Sequence, residues 1–399
     1  MPEYMKDFKC IGADCDDNCC HGSISIDRDT YQKYGSIGDR VLRESITKQL
    51  QKNKLQTAGF VDYSFIENEA YCCFLDSSMR CKIHKELGEK YLSCACYTVP
   101  RKINMLDNRV EKSCNLYCPH AARQVLLNPD VMEFIEEEGF ENSKNAITLK
   151  YTKREIDSIQ PGFNEIRELV IDILQFREYG FSDRMIILCL FLNSLENVNA
   201  AGDFGEIANL ISNYRNRIQS TDFKQEIANI KDNAEGNIVD FIKLANDLFI
   251  ENTKTKNGNQ YNECIKLYEE GIYSESEIKL EKVINAYNIY FAPYISNHQF
   301  IFEHFFVNYF FKEAFPLRKG RSVMEELGLL VFYYFVLNLT LVGISGNLKK
   351  LDDSVVIKYI HTFSRIIDVR ADFEVYILKQ LKTANFLSYS SLIYALCTF

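Results

Sequence analysis

The sequence predicts a mostly α protein, in which a small, irregular α+β region rich in cysteine precedes a larger all-α body. Eleven of the 14 cysteines lie between Cys10 and Cys118, where short strand and helix signals alternate. No proline occurs between Pro161 and Pro293, so long helices can form there without interruption. From Gly162 onward, apolar residues recur at helical spacing almost to the end of the chain.

A boundary between two domains is expected at Asn128-Pro129, where a polar stretch begins. Residues 1–128 then form a cysteine-cluster domain and residues 129–399 a helical domain. In the helical domain, the apolar periodicity predicts helices over residues 163–178, 182–197, 204–219, 236–252, 275–291, 297–315, 322–344, 352–368 and 371–386.

The cysteine-cluster domain is predicted to consist of short elements. These are strands over residues 23–26 and 59–66, and short helices near Asp29 and over residues 39–50 and 82–92. Residues 101–114 are typical of a hairpin that turns at Asp107-Asn108, since both residue types tolerate left-handed conformations. Pro119 suits the first position of a helix. A small irregular fold of this kind has little hydrophobic core and needs an additional crosslink, such as a bound metal ion.

Two long apolar runs are predicted to lie in the core of the helical domain. Residues 327–344 form an 18-residue run, which is at the lower limit for a membrane span. The run contains Asn338 and Thr340, and no second run of that length exists. We therefore expect a buried central helix and no membrane span. The aromatic run over residues 300–315 has too few polar positions for a surface helix.

The charge distribution points away from nucleic acid as a partner. The net charge is −9, and residues 1–128 are nearly neutral, with 18 basic against 17 acidic residues. The remainder holds 28 basic against 38 acidic residues. Nucleic acid and anionic membranes would be repelled by this surplus, whereas a lysine-bearing protein would be attracted. An equally good interpretation is that the acidity only keeps the protein soluble.

The cysteine usage favours a metal site in a reducing compartment. The first ten residues have no apolar core and no small-residue cleavage pattern, which predicts a cytoplasmic protein without a signal peptide. Clustered thiols in the cytosol bind metal more often than they form disulfides. The three cysteines outside the cluster are interpreted as small buried hydrophobic residues: Cys189, Cys264 and Cys397.

The spacing of the clustered cysteines predicts a metal site but does not identify the metal. The first group is Cys10-x4-Cys15-x3-Cys19-Cys20, and the second comprises Cys72, Cys73, Cys81, Cys94, Cys96, Cys114 and Cys118. Soft thiolates select zinc, copper(I) or iron–sulfur centres. The neighbouring histidines are potential zinc ligands, although a solvated or capping role is more common: His21, His84 and His120.

Several catalytic motifs are absent from the sequence. It has no GxGxxG dinucleotide loop, no GxxxxGK[ST] phosphate loop and no Gly-x-Ser-x-Gly nucleophile elbow. It also lacks the CxxxCxxC triad of radical enzymes that use S-adenosylmethionine. Any catalytic activity is therefore expected to use the metal site or a pocket in the helical domain.

The assembled motifs resemble the flagellin lysine-N-methylase family, whose cysteine region belongs to a broader group of zinc- or iron-chelating cysteine-cluster domains. The words that carry the resemblance are Cys10-x4-Cys15-x3-Cys19-Cys20-His21-Gly22, Cys72-x-Phe74-Leu75, Cys81-Lys82-Ile83, Leu87-Gly88, Leu92-Ser93, Cys96-x3-Pro100-Arg101 and Cys118-Pro119-x2-Ala122-Arg123. Shorter words continue it into the helical part: Asn308-Tyr309, Phe315-Pro316 and Phe363-Ser364-Arg365.

The resemblance implies a set of eight metal ligands. The family pattern maps onto Cys10, Cys15, Cys19, Cys20, Cys72, Cys81, Cys96 and Cys118, which leaves Cys73, Cys94 and Cys114 as extras. The chain departs from the family pattern in two places. Ser23 stands where the family usually has tryptophan, and Ile367-Asp368-Val369 stands where a His-Asn pair is expected.

The resemblance also implies a function. The chain would be a protein-lysine N-methyltransferase that acts on flagellin, carries a 4Fe–4S cluster and uses S-adenosylmethionine, with the substrate and donor bound by residues 129–399. Two alternatives stay open. One is a non-catalytic interaction module stapled by zinc, and the other is a redox or metal sensor that uses the surplus thiols.

Overall fold

The computed structural model describes residues 1–11, 15, 17, 20, 24–52, 60–65, 67–68, 71–138, 147–253, 259–275, 277–317, 320–369 and 371–399. The chain divides into two compact units. The first comprises residues 1–121 and 134–150, and the second comprises residues 122–133 and 151–399. The first carries the cysteine region, and the second is almost entirely helical.

The first 151 residues form short strands and helices. The strands are β1 (Ser25–Asp27), β2 (Leu50–Lys52), β3 (Phe60–Phe65), β4 (Glu67–Asn68), β5 (Tyr71–Cys72), β6 (Arg101–Leu106), β7 (Arg109–Cys114) and β8 (Ile147–Tyr151). The helices are α1 (Arg28–Gly35), α2 (Arg40–Lys48), α3 (Lys82–Leu87), α4 (Cys94–Thr98) and α5 (Pro119–Leu126). The strand orders within the three sheets are β1-β3-β2, β4-β5 and β7-β6-β8.

The predicted hairpin and the predicted helix that begins at Pro119 are both confirmed. β6 and β7 pair antiparallel, with Leu106 opposite Arg109, so Asp107 and Asn108 make the turn. Asp107 adopts a left-handed φ of 56°. Pro119 is the first residue of α5. The predicted helix over 82–92 ends earlier, at Leu87, because Gly88 takes a φ of 80° that L side chains rarely adopt.

The second unit is built from helices. They are α6 (Lys153–Ile159), α7 (Phe163–Gln175), α8 (Phe181–Ala201), α9 (Ile207–Arg217), α10 (Thr221–Asp232), α11 (Ile238–Ala245), α12 (Glu251–Thr253), α13 (Asn259–Ile272), α14 (Leu280–Ala286), α15 (Ala292–Ile295), α16 (Gln299–Lys312), α17 (Val323–Leu348), α18 (Asp353–Val369), α19 (Ala371–Thr383) and α20 (Tyr389–Cys397). Wider π-helical turns at Asn246–Ile250 and Tyr287–Phe291 join α11 to α12 and α14 to α15.

The predicted fold class is confirmed. Among the described residues, five helices of the second unit lie outside the predicted ranges: α6, α10, α13, α15 and α20. In α10, α13 and α20 the apolar residues are diluted by asparagine, glutamine and serine. The helix predicted over 275–291 begins only at Leu280, since the two-residue strands β9 (Tyr273–Ser274) and β10 (Glu277–Ile278) pair just before it.

α17 is the central helix of the second unit, as the sequence predicted. In the described part of the chain it is the one helix long and apolar enough to cross a membrane, and its most apolar window is completely buried within the protein. The helices that pack against it are α8, α11, α13, α14, α18, α19 and α20. This burial is typical of a core helix.

Candidate functional site

Several predicted metal ligands surround one small core in the first unit. Tyr34 is one of its buried side chains, together with Ile26 and Phe74. Four cysteines pack against this core: Cys72, Cys73, Cys81 and Cys96. The chain around Cys20 joins them, because its carbonyl oxygen accepts the Cys72 backbone N–H at 3.0 Å.

Local hydrogen bonds hold these cysteines in place. Cys81 is the N-cap of α3, and its sulfur accepts the backbone N–H of His84 at 3.5 Å. Cys96 lies in α4, where its N–H donates to Ser93 Oγ at 3.2 Å. Asp27 ties α4 to β1, because Oδ2 accepts the Cys94 N–H at 2.6 Å. Although burial opposes the shift, the N–H donors lower the pKa of Asp27 below 3.8, so it stays charged.

The last predicted ligand belongs to a second cluster. Cys118 and Cys114 pack with Met5 and Phe8. The Cys114 thiol lies 3.4 Å from the Met5 sulfur, and its backbone N–H donates to the Tyr4 hydroxyl at 3.0 Å. Burial, followed by the nearby Cys118 thiol, raises the pKa of Cys114. Cys114 is thus completely buried in this cluster, and its assignment as an extra outside the ligand set stays a prediction.

The remaining sulfur and histidine candidates lie elsewhere. Cys10 is exposed and Cys15 half-buried, whereas Cys19 and His21 lie outside the described residues. His84 is exposed on α3, and the His120 ring packs 5.7 Å from the Phe8 ring. Within the described ranges, no group of three or more histidine, cysteine or acidic side chains is placed to hold a metal ion. The metal site therefore stays a prediction.

The three cysteines of the helical unit follow their prediction in part. Cys189 and Cys264 are buried, and burial raises the pKa of each thiol to about 12. Both therefore behave as small apolar side chains. Cys397 differs, because it is the last residue of α20 and is only half-buried.

A buried carboxylate organises the charged groups of the helical unit. Glu303 on α16 is completely buried and contacts two arginines. Arg184 Nη1 lies 2.6 Å from Glu303 Oε2, and Arg177 donates to both carboxylate oxygens at 2.8–3.2 Å. Arg177 also donates to the Pro129 carbonyl at 2.7 Å. The carboxylate thus links α16 with α8 through Arg184, and with the turn after α7 and the segment 122–133 through Arg177.

A second buried ionic group lies further along α16, at Tyr309 and Lys312. Lys312 is buried between the carboxylates of Asp368 and Glu313. The Tyr309 hydroxyl donates to Glu374 at 3.2 Å, and Arg321 contacts the same carboxylate at 3.0 Å. Although desolvation opposes it, the negative charge of Asp368 raises the pKa of Lys312, which keeps the ammonium charged.

His304 adds a pH-dependent contribution to the stability of this unit. Its Nδ1 lies 2.7 Å from the Val125 carbonyl oxygen, which can only accept, so Nδ1 carries the hydrogen. Burial lowers the pKa of His304 below 6.5, despite the opposing effect of that hydrogen bond. The unfolded chain therefore binds more protons than the folded protein once the pH falls below about 6.5.

We therefore expect the free energy of unfolding to fall as the pH is lowered through 6.5, and the variant His304→Asn to flatten this dependence. Asparagine keeps a donor near the Val125 carbonyl but has no ring to protonate. The measurement is denaturant unfolding above and below pH 6.5. His84→Asn, at an exposed site, is the control and should leave the slope unchanged. An identical slope in His304→Asn would contradict the prediction.

Comparison with known families finds a match within the helical unit. A family model described as the FliB lysine N-methylase C-terminal domain matches residues 167–395, which is more than half of the chain. The chain belongs to the FliB lysine N-methylase family. At the level of the family, this confirms the predicted enzyme class, a protein-lysine N-methyltransferase.

Three individual relatives of this chain agree with the assignment to the FliB family. The chain is 30% identical over 154 residues to the flagellar biosynthetic protein FliU of Salmonella muenchen, which covers 38% of this chain and 90% of FliU. It is 29% identical over 149 residues to proteins named lysine-N-methylase from Salmonella choleraesuis and Salmonella typhimurium. Those alignments span 37% of this chain and 37% of each relative. No solved structure matches the chain.

The FliB match covers the buried ionic groups but not the cysteine region. Glu303, Lys312 and Glu374 all lie within the matched residues, and Cys118 lies before them. Sequence reasoning did not single out these charges, although Glu303, His304 and Lys312 interrupt the apolar run at 300–315. An ionisable residue inside such a run signals a paired, buried charge, because an unpaired one would be too costly.

Proposed function

We propose that this chain methylates lysine side chains of flagellin in the cytoplasm, with S-adenosylmethionine as methyl donor and a 4Fe–4S cluster held in the cysteine region. The match to the lysine N-methylase domain over residues 167–395 carries this proposal. The name of the relative FliU supports a flagellar substrate. The acidic surplus of residues 129–399 suits a lysine-bearing protein partner.

The cysteine region contains donors of the right chemistry for the proposed cluster. Four of the predicted ligands, Cys20, Cys72, Cys81 and Cys96, come from segments that meet around the Tyr34 core. A 4Fe–4S cluster takes one thiolate per iron, so four cysteines from separate segments suit it. When bound, the cluster would crosslink those segments and brace an irregular fold with little core of its own.

Methyl transfer sets two requirements for the helical unit. The target lysine must lose a proton before its nitrogen can attack, so a proton acceptor must lie within hydrogen-bond distance. The nitrogen must also be held in line with the methyl carbon of the sulfonium. The donor already carries an activated methyl group. The side chains of the helical unit therefore only need to place the proton acceptor and the nitrogen correctly.

The proposal is tested with anaerobically purified protein, flagellin from the same organism and S-adenosylmethionine. We expect flagellin to gain the mass of one or more methyl groups, located on lysine by fragmentation mass spectrometry. Flagellin with chemically acetylated lysines is the control and should gain none. Absence of methylation by protein that is fully loaded with iron and sulfide would overturn the proposal. A colourless, zinc-stoichiometric protein would instead support the zinc-stapled interaction module.

The proposed ligands make a sharper prediction. Cys81→Ser and Cys96→Ser are each expected to lose most of the iron, the sulfide and the brown colour, since serine oxygen replaces the soft sulfur donor badly. Cys94→Ser is the matched control, because Cys94 lies in the same short helix as Cys96 but outside the ligand pattern. Iron and acid-labile sulfide per chain are measured after anaerobic purification. Unchanged iron in both ligand variants would refute the assignment.

A further inference from the structure

A tyrosine, a histidine and an aspartate meet at the surface of the helical unit, where α15 leads into α16 and α18 begins. The rings of Tyr294 and His298 stack in parallel, with centroids 4.1 Å apart and planes within 6°. The Tyr294 hydroxyl donates to Asp353 Oδ1 at 2.7 Å. His298 Nε2 lies 3.7 Å from the same oxygen. All three residues lie within the family match.

The hydrogen bonds define the tautomer of His298. Nδ1 lies 2.7 Å from the Tyr294 carbonyl oxygen, which can only accept, so Nδ1 carries the hydrogen. In the neutral ring, Nε2 therefore turns a lone pair towards the Asp353 carboxylate. The distance of 3.7 Å is too long for a hydrogen bond, and neither atom supplies a proton. This arrangement favours a cationic N–H donor that bonds both atoms.

The cluster is accessible to a side chain of another protein. The His298 side chain is 28% exposed and that of Asp353 is 53% exposed. Burial, together with the hydrogen bond to Asp353, raises the pKa of Tyr294, so its hydroxyl stays a donor and orients the carboxylate. Among the described residues, Asp352 also acts on Tyr294, and its carboxylate pairs with Lys350 at 2.9 Å.

We propose that Asp353 and His298 bind the ammonium group of the target lysine, and that His298 Nε2 accepts its proton. The inference rests on the proposed lysine methylation and assigns a site to it. The proton leaves the lysine nitrogen for Nε2, which frees the nitrogen lone pair. That pair then forms the bond to the methyl carbon of the sulfonium, and the electrons of the broken C–S bond return to sulfur. Tyr294 is a positioning residue that orients both partners.

The first test measures binding without turnover. Protein labelled with ¹⁵N in its histidines is titrated with n-butylammonium, the cation of a lysine side chain, and with n-butanol as the neutral control. We expect the His298 ring signals, assigned with the variant His298→Asn, to shift with the cation only. Asp353→Asn should abolish the shift, whereas Asp352→Asn, one residue away, should retain it. No shift in the wild-type protein would overturn the inference.

The second test measures kinetics on flagellin. His298→Asn keeps a donor like Nδ1 but lacks Nε2, so kcat should fall by about 10²-fold or more, and KM should change much less than kcat. Asp353→Asn should mainly raise KM, by about tenfold, through loss of a charge-assisted contact. Asp352→Asn should match the wild type. Wild-type kinetics in both variants would refute the assignment. If the wild type does not methylate flagellin, the proposed function fails, while the n-butylammonium titration still decides whether this cluster binds an ammonium group.

Discussion

Replacing Glu303 with leucine is expected to destabilise the helical unit by about 3–5 kcal/mol. The substitution removes the carboxylate but leaves Arg184, of which only 1% is exposed, without its charge partner. A buried guanidinium loses its hydration on folding, and here the main compensation is the contact of 2.6 Å with Glu303. Arg177, at the rim, can turn towards water and adds less to the cost.

The measurement is guanidinium-induced unfolding followed by far-ultraviolet circular dichroism, which reports mainly the helical unit. Glu178→Leu is the control, because Glu178 forms an exposed pair with Lys224 and should change the stability by less than about 1 kcal/mol. The double variant Glu303→Leu/Arg184→Met should recover part of the loss, since it removes both buried charges. Equal effects of Glu303→Leu and Glu178→Leu would contradict the buried ionic network.

Gly271→Ala is expected to cost about 3 kcal/mol or more, at the upper end for overpacked cores. A Cβ atom at this position on α13 would lie 1.9 Å from the carbonyl oxygen of Gly343 on α17. A Cβ atom on Gly343 would in turn lie 2.5 Å from the Tyr268 ring. The two glycines therefore let the backbones of α13 and α17 approach closely, and a backbone atom cannot move aside as a side chain can.

Gly205→Ala is the matched control for the glycine prediction. It lies in the same unit, and its nearest outside neighbour would be a side-chain oxygen of Asp203 at 3.9 Å from the new Cβ. We expect this variant to be as stable as the wild type, or slightly more stable, since alanine restricts the unfolded chain. Thermal and denaturant unfolding of both variants give the comparison. A Gly271→Ala protein of wild-type stability would exclude the close helix contact.

The cysteine region shows what the spacing of the cysteines predicts and what it does not. The count and clustering of thiols predicted a metal site, and the motifs shared with the family singled out eight of the eleven cysteines. The structure arranges Cys72, Cys81 and Cys96 around Tyr34 but places Cys118 with Cys114 in another cluster. Spacing did not predict this division, because it depends on how the strands and short helices between the cysteines pack.

In the helical unit, the sequence predicted the core helix α17 and most of the other helices, because apolar periodicity reports which face of a helix is buried. Periodicity carries no information about which charges on different helices meet. Asp368, at a departure from the family pattern, pairs with Lys312, which lies 56 residues earlier in the chain.

The sequence by itself determined the cysteine-rich start, the helical body and the resemblance to lysine methylases, since these depend on composition, local spacing and short motifs. Only the tertiary structure decided that Glu303 joins two arginines, that Gly271 meets Gly343, and that His298 faces Asp353. The physical reason is that each of these contacts joins residues more than 50 positions apart. Their geometry follows from helix packing, which no local pattern encodes.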